Sequence, residues 1–155
     1  MMNQRGRVVA VNISPRKGTR KTSVGVSCLV PGQGLQDDAH AAPGKRQVSL
    51  LAMESIEKMV GLGLKVGPGY FAENVTTQGL DLVHLPVGTR FRIGEHTLLE
   101  VTQIGKVCHT RCAIYYQAGD CVMPKEGIFA QVLKGGEIRA GDEIHVLDGN
   151  SDDQR

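Results

Sequence analysis

The sequence predicts a mainly β protein whose strands form a closed or partly closed barrel, with one or two short helices. Three observations carry this. Short runs of alternating apolar and polar residues recur along the chain, the period of strands with one buried face. Twenty glycines are spread through the sequence instead of gathering in a low-complexity tract, which suits many turns. Strands follow one another at close spacing without a strand–helix–strand rhythm, so a doubly wound parallel sheet is not expected.

Residues 7–13 alternate polar and β-branched side chains as a strand does, and a loop follows through Ser14, Pro15 and Gly18. Residues 23–30 read as a second strand, broken by the Pro-Gly-Gln-Gly stretch at 31–34. The polar segment 34–44 carries Asp37, Asp38 and His40, and 46–51 is again strand-like. After Ala52, the spacing of Met53, Ile56, Met59 and Val60 makes one apolar stripe of a short helix, which Gly61 and Gly63 stop. Gly67-Pro68-Gly69 opens a loop that leaves through residues 71–76. Residues 89–93 and 96–103 form a hairpin about Gly94-Glu95, a type II′ signal. A helical turn is expected at 112–117, and the last strands at 127–133 and 143–147.

At 155 residues the chain has the size of one domain, taken as 1–148 with a frayed tail at 149–155. Hydrophobic and charged contents of 41% and 22% are ordinary for a soluble globular protein. A net charge of +2 and the lack of a long basic run exclude nucleic acid as the expected partner. The cluster Arg16, Lys17, Arg20 and Lys21 reads as a solvated loop. No apolar run approaches the ~18 residues that span a bilayer, and the N-terminus enters a strand too soon for a signal peptide. A cytoplasmic location is expected, where thiols stay reduced, so four cysteines suggest chemistry or metal sooner than disulfides.

Three of those cysteines crowd into the stretch KVCHTRCAIYYQAGDC: Cys108, Cys112 and Cys121. Lys106, His109 and Arg111 surround Cys108, and cationic neighbours favour the thiolate, the form that attacks or binds metal. Three thiolates with His109 would also make a tetrahedral zinc set, although the paired Cys-x-x-Cys knuckles of structural zinc are missing. Cys112 and Cys121 read equally well as small buried hydrophobes. His40, in a polar loop, is placed to bind or relay protons, and Arg46 could fork onto an oxyanion. For both, a plain surface role is the alternative. Asn74 offers an amide to fix a ligand or cap a turn. His84, His96 and His145 alternate with apolar residues and read as structural. Phosphate-loop, dinucleotide-binding, hydrolase-elbow and zincin motifs are absent.

Four segments together resemble the MOSC domain, the C-terminal domain of molybdenum cofactor sulfurase. They are GLQDDAHAAPGKRQVSLL from Gly34, YFAENVTTQGLDL from Tyr70, PVGTRFRIGEHTLLEVTQIGKVCHTRC from Pro86 and GIFAQVLKGGEIRAGDEIHVL from Gly127. The likeness is strongest to the small stand-alone bacterial members, whose cysteine segment runs into a GDC-x-M-P stretch like residues 119–124. The resemblance implies a β-barrel and a role in binding molybdenum cofactor, or in carrying sulfur for its sulfuration and delivery. The partner would be a cysteine desulfurase or a molybdoenzyme.

By this resemblance the family's characteristic cysteine maps onto Cys108, as metal ligand or persulfide carrier, with Cys112 and Cys121 as further candidate ligands. Lys106 and His109 would serve it, and His40, Arg46, Asn74 and Arg111 would meet the cofactor. The activity implied is that of a sulfurtransferase or a molybdenum-cofactor-dependent enzyme. A non-catalytic delivery module and a structural zinc protein are the alternatives. Pyridoxal phosphate belongs to a large domain of the parent sulfurase and is not expected here. The family loop usually reads G-L-x-G-D-x-H, and this chain has Asp37 at the second glycine. If that position needs positive φ, Asp tolerates it better than most residues, at a cost.

Overall fold

The structure, a computed structural model, describes residues 4–16, 20–105 and 126–147. Its strands are β1 (Arg5–Ile13), β2 (Thr22–Val24), β3 (Val26–Val30), β4 (Gly34–Leu35), β5 (Val48–Ala52) and β6 (Val75–Gln78). They continue as β7 (Arg90–Ile93), β8 (Leu98–Ile104), β9 (Ile128–Lys134), β10 (Gly136–Arg139) and β11 (Glu143–Val146). One helix, α1 (Met53–Gly61), and a 3₁₀ turn at Leu82–His84 complete the described elements.

Seven strands close into a barrel in the order β1-β6-β5-β9-β8-β7-β11, with β11 returning to β1 through Arg5↔His145 and Arg7↔Glu143. Closure pairs the edges that an open sheet would leave to other chains. The pairs are antiparallel except β5–β6, and α1 lies in the connection between those two strands. β1 serves three partners along its length: β11 at its start, β6 in its middle and β2 at its end. A smaller sheet, β10-β3-β4, accompanies the barrel.

Alternation sends Val11, Val48, Leu50, Val75, Val101, Ile128 and Ala130 inward, where they are buried in one apolar cluster with Ile93, Leu99 and Ile144. Each fully buried Leu or Ile contributes on the order of 1.5–3 kcal/mol, so the barrel interior is a core and not a ligand channel. The opposite face of the same strands carries a second cluster in which Ile56 and Met59 of α1 pack on Leu51, Phe71 and Phe129.

Several expectations are corrected. The strand expected at 23–30 is cut at Gly25, because β2 pairs with β1 while β3 pairs with β10 and β4. Between the last two strands expected, a further strand, β10, begins at Gly136. The hairpin turn is longer than two residues: the Thr97 hydroxyl accepts from Ile93 N (3.0 Å) and donates to Ile93 O (2.7 Å), and the β7–β8 ladder is paired from Phe91↔Leu99. Val60 is 47% exposed, since one step past Met59 turns it about 100° away from the wall. His84 sits in the 3₁₀ turn, paired with Asp81 at the surface. The expected turn at 112–117 and the tail at 149–155 lie outside the described residues.

Candidate functional site

Strand register assembles a row that no single segment displays. Gln103 of β8 faces Phe129 of β9, and Phe129 faces Ser49 of β5. Leu50 pairs with Val75, which sets Asn74 beside Ser49, and Val11 also pairs with Val75, which sets Asn12 beside Asn74. Asn12 then faces Ser23 of β2. Directly opposed residues share a face of the sheet, and this is the outer face, opposite the apolar interior. A slip in the β8–β9 register between Val101 and Gln103 brings Gln103 opposite Phe129.

Hydrogen bonds tie the row together. Ser23 Oγ donates to Asn12 Oδ1 (2.8 Å), and Asn12 Nδ2 donates to Glu73 O and to Thr76 Oγ1. Asn74 Oδ1 accepts from the amide and hydroxyl of Ser49, while Asn74 Nδ2 donates to Asn12 O and to Asp38 Oδ2. The amide orientation follows from these partners, because the flipped one would aim NH₂ at an N–H and oxygen at a carboxylate. Both halves of the Asn74 amide are thereby committed within the protein.

On this row rests a buried ion pair. Lys21 Nζ lies 2.7 Å from Asp38 Oδ1, with the two side chains 1% and 0% exposed. The expectation that Lys21 belongs to a solvated loop is therefore corrected. Its backbone is pinned by Lys21 N donating to Gly69 O (2.9 Å), which draws the charge under the 67–73 loop. The ammonium also donates to Ser14 Oγ (3.3 Å) and meets His40 Nδ1 at 3.0 Å. Asp38 further accepts from Ser14 N, His40 N and Asn74 Nδ2. Burial alone would push its carboxyl up. The bonds from Lys21, Asn74 and Ser14, with the charge of Lys21, outweigh that and hold it below the usual value.

Glu73 is buried beneath the same loop. Its carboxylate accepts from Gly69 N (2.8 Å), Phe71 N (3.2 Å) and Thr76 Oγ1 (2.7 Å), stapling the loop to the wall. Burial dominates here and raises its carboxyl despite those bonds. Gly69 has φ +87°, and a Cβ there would come 2.3 Å from Lys21 O, so only glycine fits. Asp37, at the loop's usual glycine, takes φ +68°.

Arg46 occupies the other end of the row. It is exposed, its Nε donates to Gln103 Oε1 (3.3 Å), and its guanidinium lies 5.2 Å from the centre of the Phe129 ring. Among the described residues no carboxylate pairs with it. The structure thus brings His40 and Asn74 together at Asp38 and puts Arg46 farther along the same face. Cys108, Lys106, His109, Arg111, Cys112 and Cys121 lie outside the described residues. The remaining cysteine, Cys28, is half-buried in β3, away from the row. Among the described residues no group of three or more His, Cys, Asp or Glu could hold a metal ion. Sequence reasoning missed Asn12, Lys21, Ser49 and Gln103. A polar residue on every second position of several strands was the available signal, and it looks the same as ordinary solvated faces.

A closed seven-strand barrel that carries a hydrogen-bonded polar row outside its core defines the class of protein. Within that class the chain belongs to the MOSC domain family, whose model matches residues 36–145, a family linked to molybdenum cofactor sulfuration. Comparison with curated proteins gives no match. Among solved structures it is similar to the YuaD protein of Bacillus subtilis, with TM-score 0.78 and 18% identity, covering 95% of this chain and 99% of that one. It is also similar to YiiM of Geobacillus stearothermophilus (TM-score 0.69, 20% identity, 92% and 75% covered) and YiiM of Escherichia coli (0.64, 22%, 94% and 72%). At these identities the likeness concerns the fold. No helix among the described residues is long and apolar enough to cross a membrane.

Proposed function

We propose that this protein binds molybdenum cofactor or its sulfurated form, with Cys108 as the thiolate that ligates the metal or bears a persulfide. The observation that carries the reading is Arg46. Its guanidinium is fixed by Gln103 and the Phe129 ring, with no acidic partner among the described residues, as a site for an oxyanion requires. Gln103 precedes Cys108 by five residues and Gly105 precedes it by three, and three residues of chain reach at most about 11 Å.

The donor set suits the group: Arg46 and His40 would hold its phosphate or oxo oxygens, and Arg111 would add a second guanidinium. Asn74 would act through Asp38, since its own amide is engaged. Lys106 and His109 would favour the thiolate of Cys108. The bound group would supply the metal centre and its exchangeable sulfur or oxygen. The partner would be a cysteine desulfurase giving sulfur, or a molybdoenzyme receiving cofactor.

Cys108→Ser tests the assignment. Metal and pterin are measured on protein as isolated, beside thermal unfolding. The variant is expected to lose molybdenum while its midpoint stays within a degree or two of the parent; normal loading would refute the role. Bound cofactor without turnover of an N-hydroxylated substrate would favour delivery over catalysis. About one zinc per chain, lost to chelator together with the fold, would instead mark a structural zinc protein.

A further inference from the structure

We infer that Lys21 is a positioning residue: its buried ammonium holds His40 as the neutral imidazole with the proton on Nε2. An ammonium has three protons and no lone pair. Those of Lys21 face three acceptors, Asp38 Oδ1 at 2.7 Å, His40 Nδ1 at 3.0 Å and Ser14 Oγ at 3.3 Å. The donor–acceptor sense at 3.0 Å is therefore decided by Lys21, and Nδ1 must present its lone pair. A protonated Nδ1 would set its N–H against an N–H of the ammonium.

The ring is oriented as well. The backbone N of His40 donates to Asp38 Oδ2 (3.2 Å), and Asp38 is itself anchored by Asn74 and Ser14 N. His40 thus hangs from the same carboxylate that holds the lysine. Lys21, with its three protons committed and its side chain 1% exposed, does not touch ligand and acts only through His40.

Such a histidine cannot take a proton at Nδ1 without breaking the Lys21 contact, so its one ring proton stands on Nε2. An anionic oxygen or sulfur brought to that nitrogen would meet a donor, whereas an acidic N–H or O–H would find no lone pair there. This last step rests on the proposed cofactor reading; the tautomer itself does not.

Long-range ¹H–¹⁵N spectra of the cofactor-free, ¹⁵N-labelled protein at pH 7 test it, with the His40 signals assigned by their loss in His40→Gln. The parent protein is expected to show an unprotonated Nδ1 and a protonated Nε2. An unprotonated Nε2, or two protonated nitrogens, overturns the inference. Lys21→Met is expected to shift the His40 signals toward a tautomer mixture, and Lys21→Arg, which keeps a cationic donor, to restore the parent pattern. Unchanged His40 signals in a folded Lys21→Met protein also overturn it. Should Lys21→Met fail to fold, the parent and Lys21→Arg spectra decide the matter. Because cofactor is absent throughout, a failure to load molybdenum leaves this result standing, and a wrong tautomer leaves the loading assignment standing.

Discussion

Replacing Lys21 by Met removes one member of a buried ion pair while keeping the apolar stem. Its charged partner, Asp38, stays behind with a fully buried side chain. Breaking a buried pair from one side typically costs about 3–5 kcal/mol, because an uncompensated charge remains. Asp38 keeps three N–H donors, from Ser14, His40 and Asn74, which places this site at the low end, ~3 kcal/mol. At ~2–4 °C per kcal/mol for a chain of this size, the thermal midpoint should fall by roughly 6–12 °C. Urea titrations of the parent, Lys21→Met, Asp38→Asn and the double variant measure it directly. The double variant removes both charges and should be more stable than the two single losses predict, by at least about 1 kcal/mol. Additive losses, or a Lys21→Met cost below about 1 kcal/mol, would show that the pair is not a buried charge interaction and would refute the reasoning.

Other perturbations follow from the same geometry. Asp37→Gly relieves a φ of +68°, a gain that the greater freedom of glycine in the unfolded chain largely offsets, so stability should rise by no more than ~1 kcal/mol. Asp37→Val should cost roughly 1–2 kcal/mol in the same urea assay. Gly69→Ala combines a φ of +87° with a Cβ 2.3 Å from a backbone oxygen and should cost at least about 2 kcal/mol; a neutral result would contradict the loop geometry. The pH dependence has two signs. Asp38, with its folded value lowered, contributes stability above its ordinary value of 3.8 that disappears as pH falls through the folded value, so Asp38→Asn should flatten the acid limb. Glu73, with its folded value raised, contributes stability below 4.5 that is lost as pH rises through the folded value. Glu73→Gln should remove that decline, read from urea midpoints across the pH range.

How much of this was legible beforehand depends on the distance over which residues interact. Alternation in 7–13 and 127–133, the stripe Met53, Ile56 and Met59, and the Gly94 turn are local patterns, and each marks an element that the fold contains. Gly25 shows the limit: nothing in its neighbours says that the strands on either side join different sheets. Asp37 was readable because a residue type at a loop position reports directly on φ. Lys21 was not, since its burial depends on Gly69, Asp38 and His40, which lie far from it along the chain and come near only when the loops close over β1 and β6.

Residue order alone therefore determined the β class, the helix face and the MOSC resemblance, all of which rest on contacts within a few positions or on motifs kept in sequence order. Tertiary structure alone decided the row from Gln103 to Ser23, the buried Lys21–Asp38 pair and the proton placement on His40. The physical reason is register: which side chains become neighbours across strands is settled by pairing between distant segments, and a lysine turns from solvated to buried only when the folded chain supplies the acceptors for its charge.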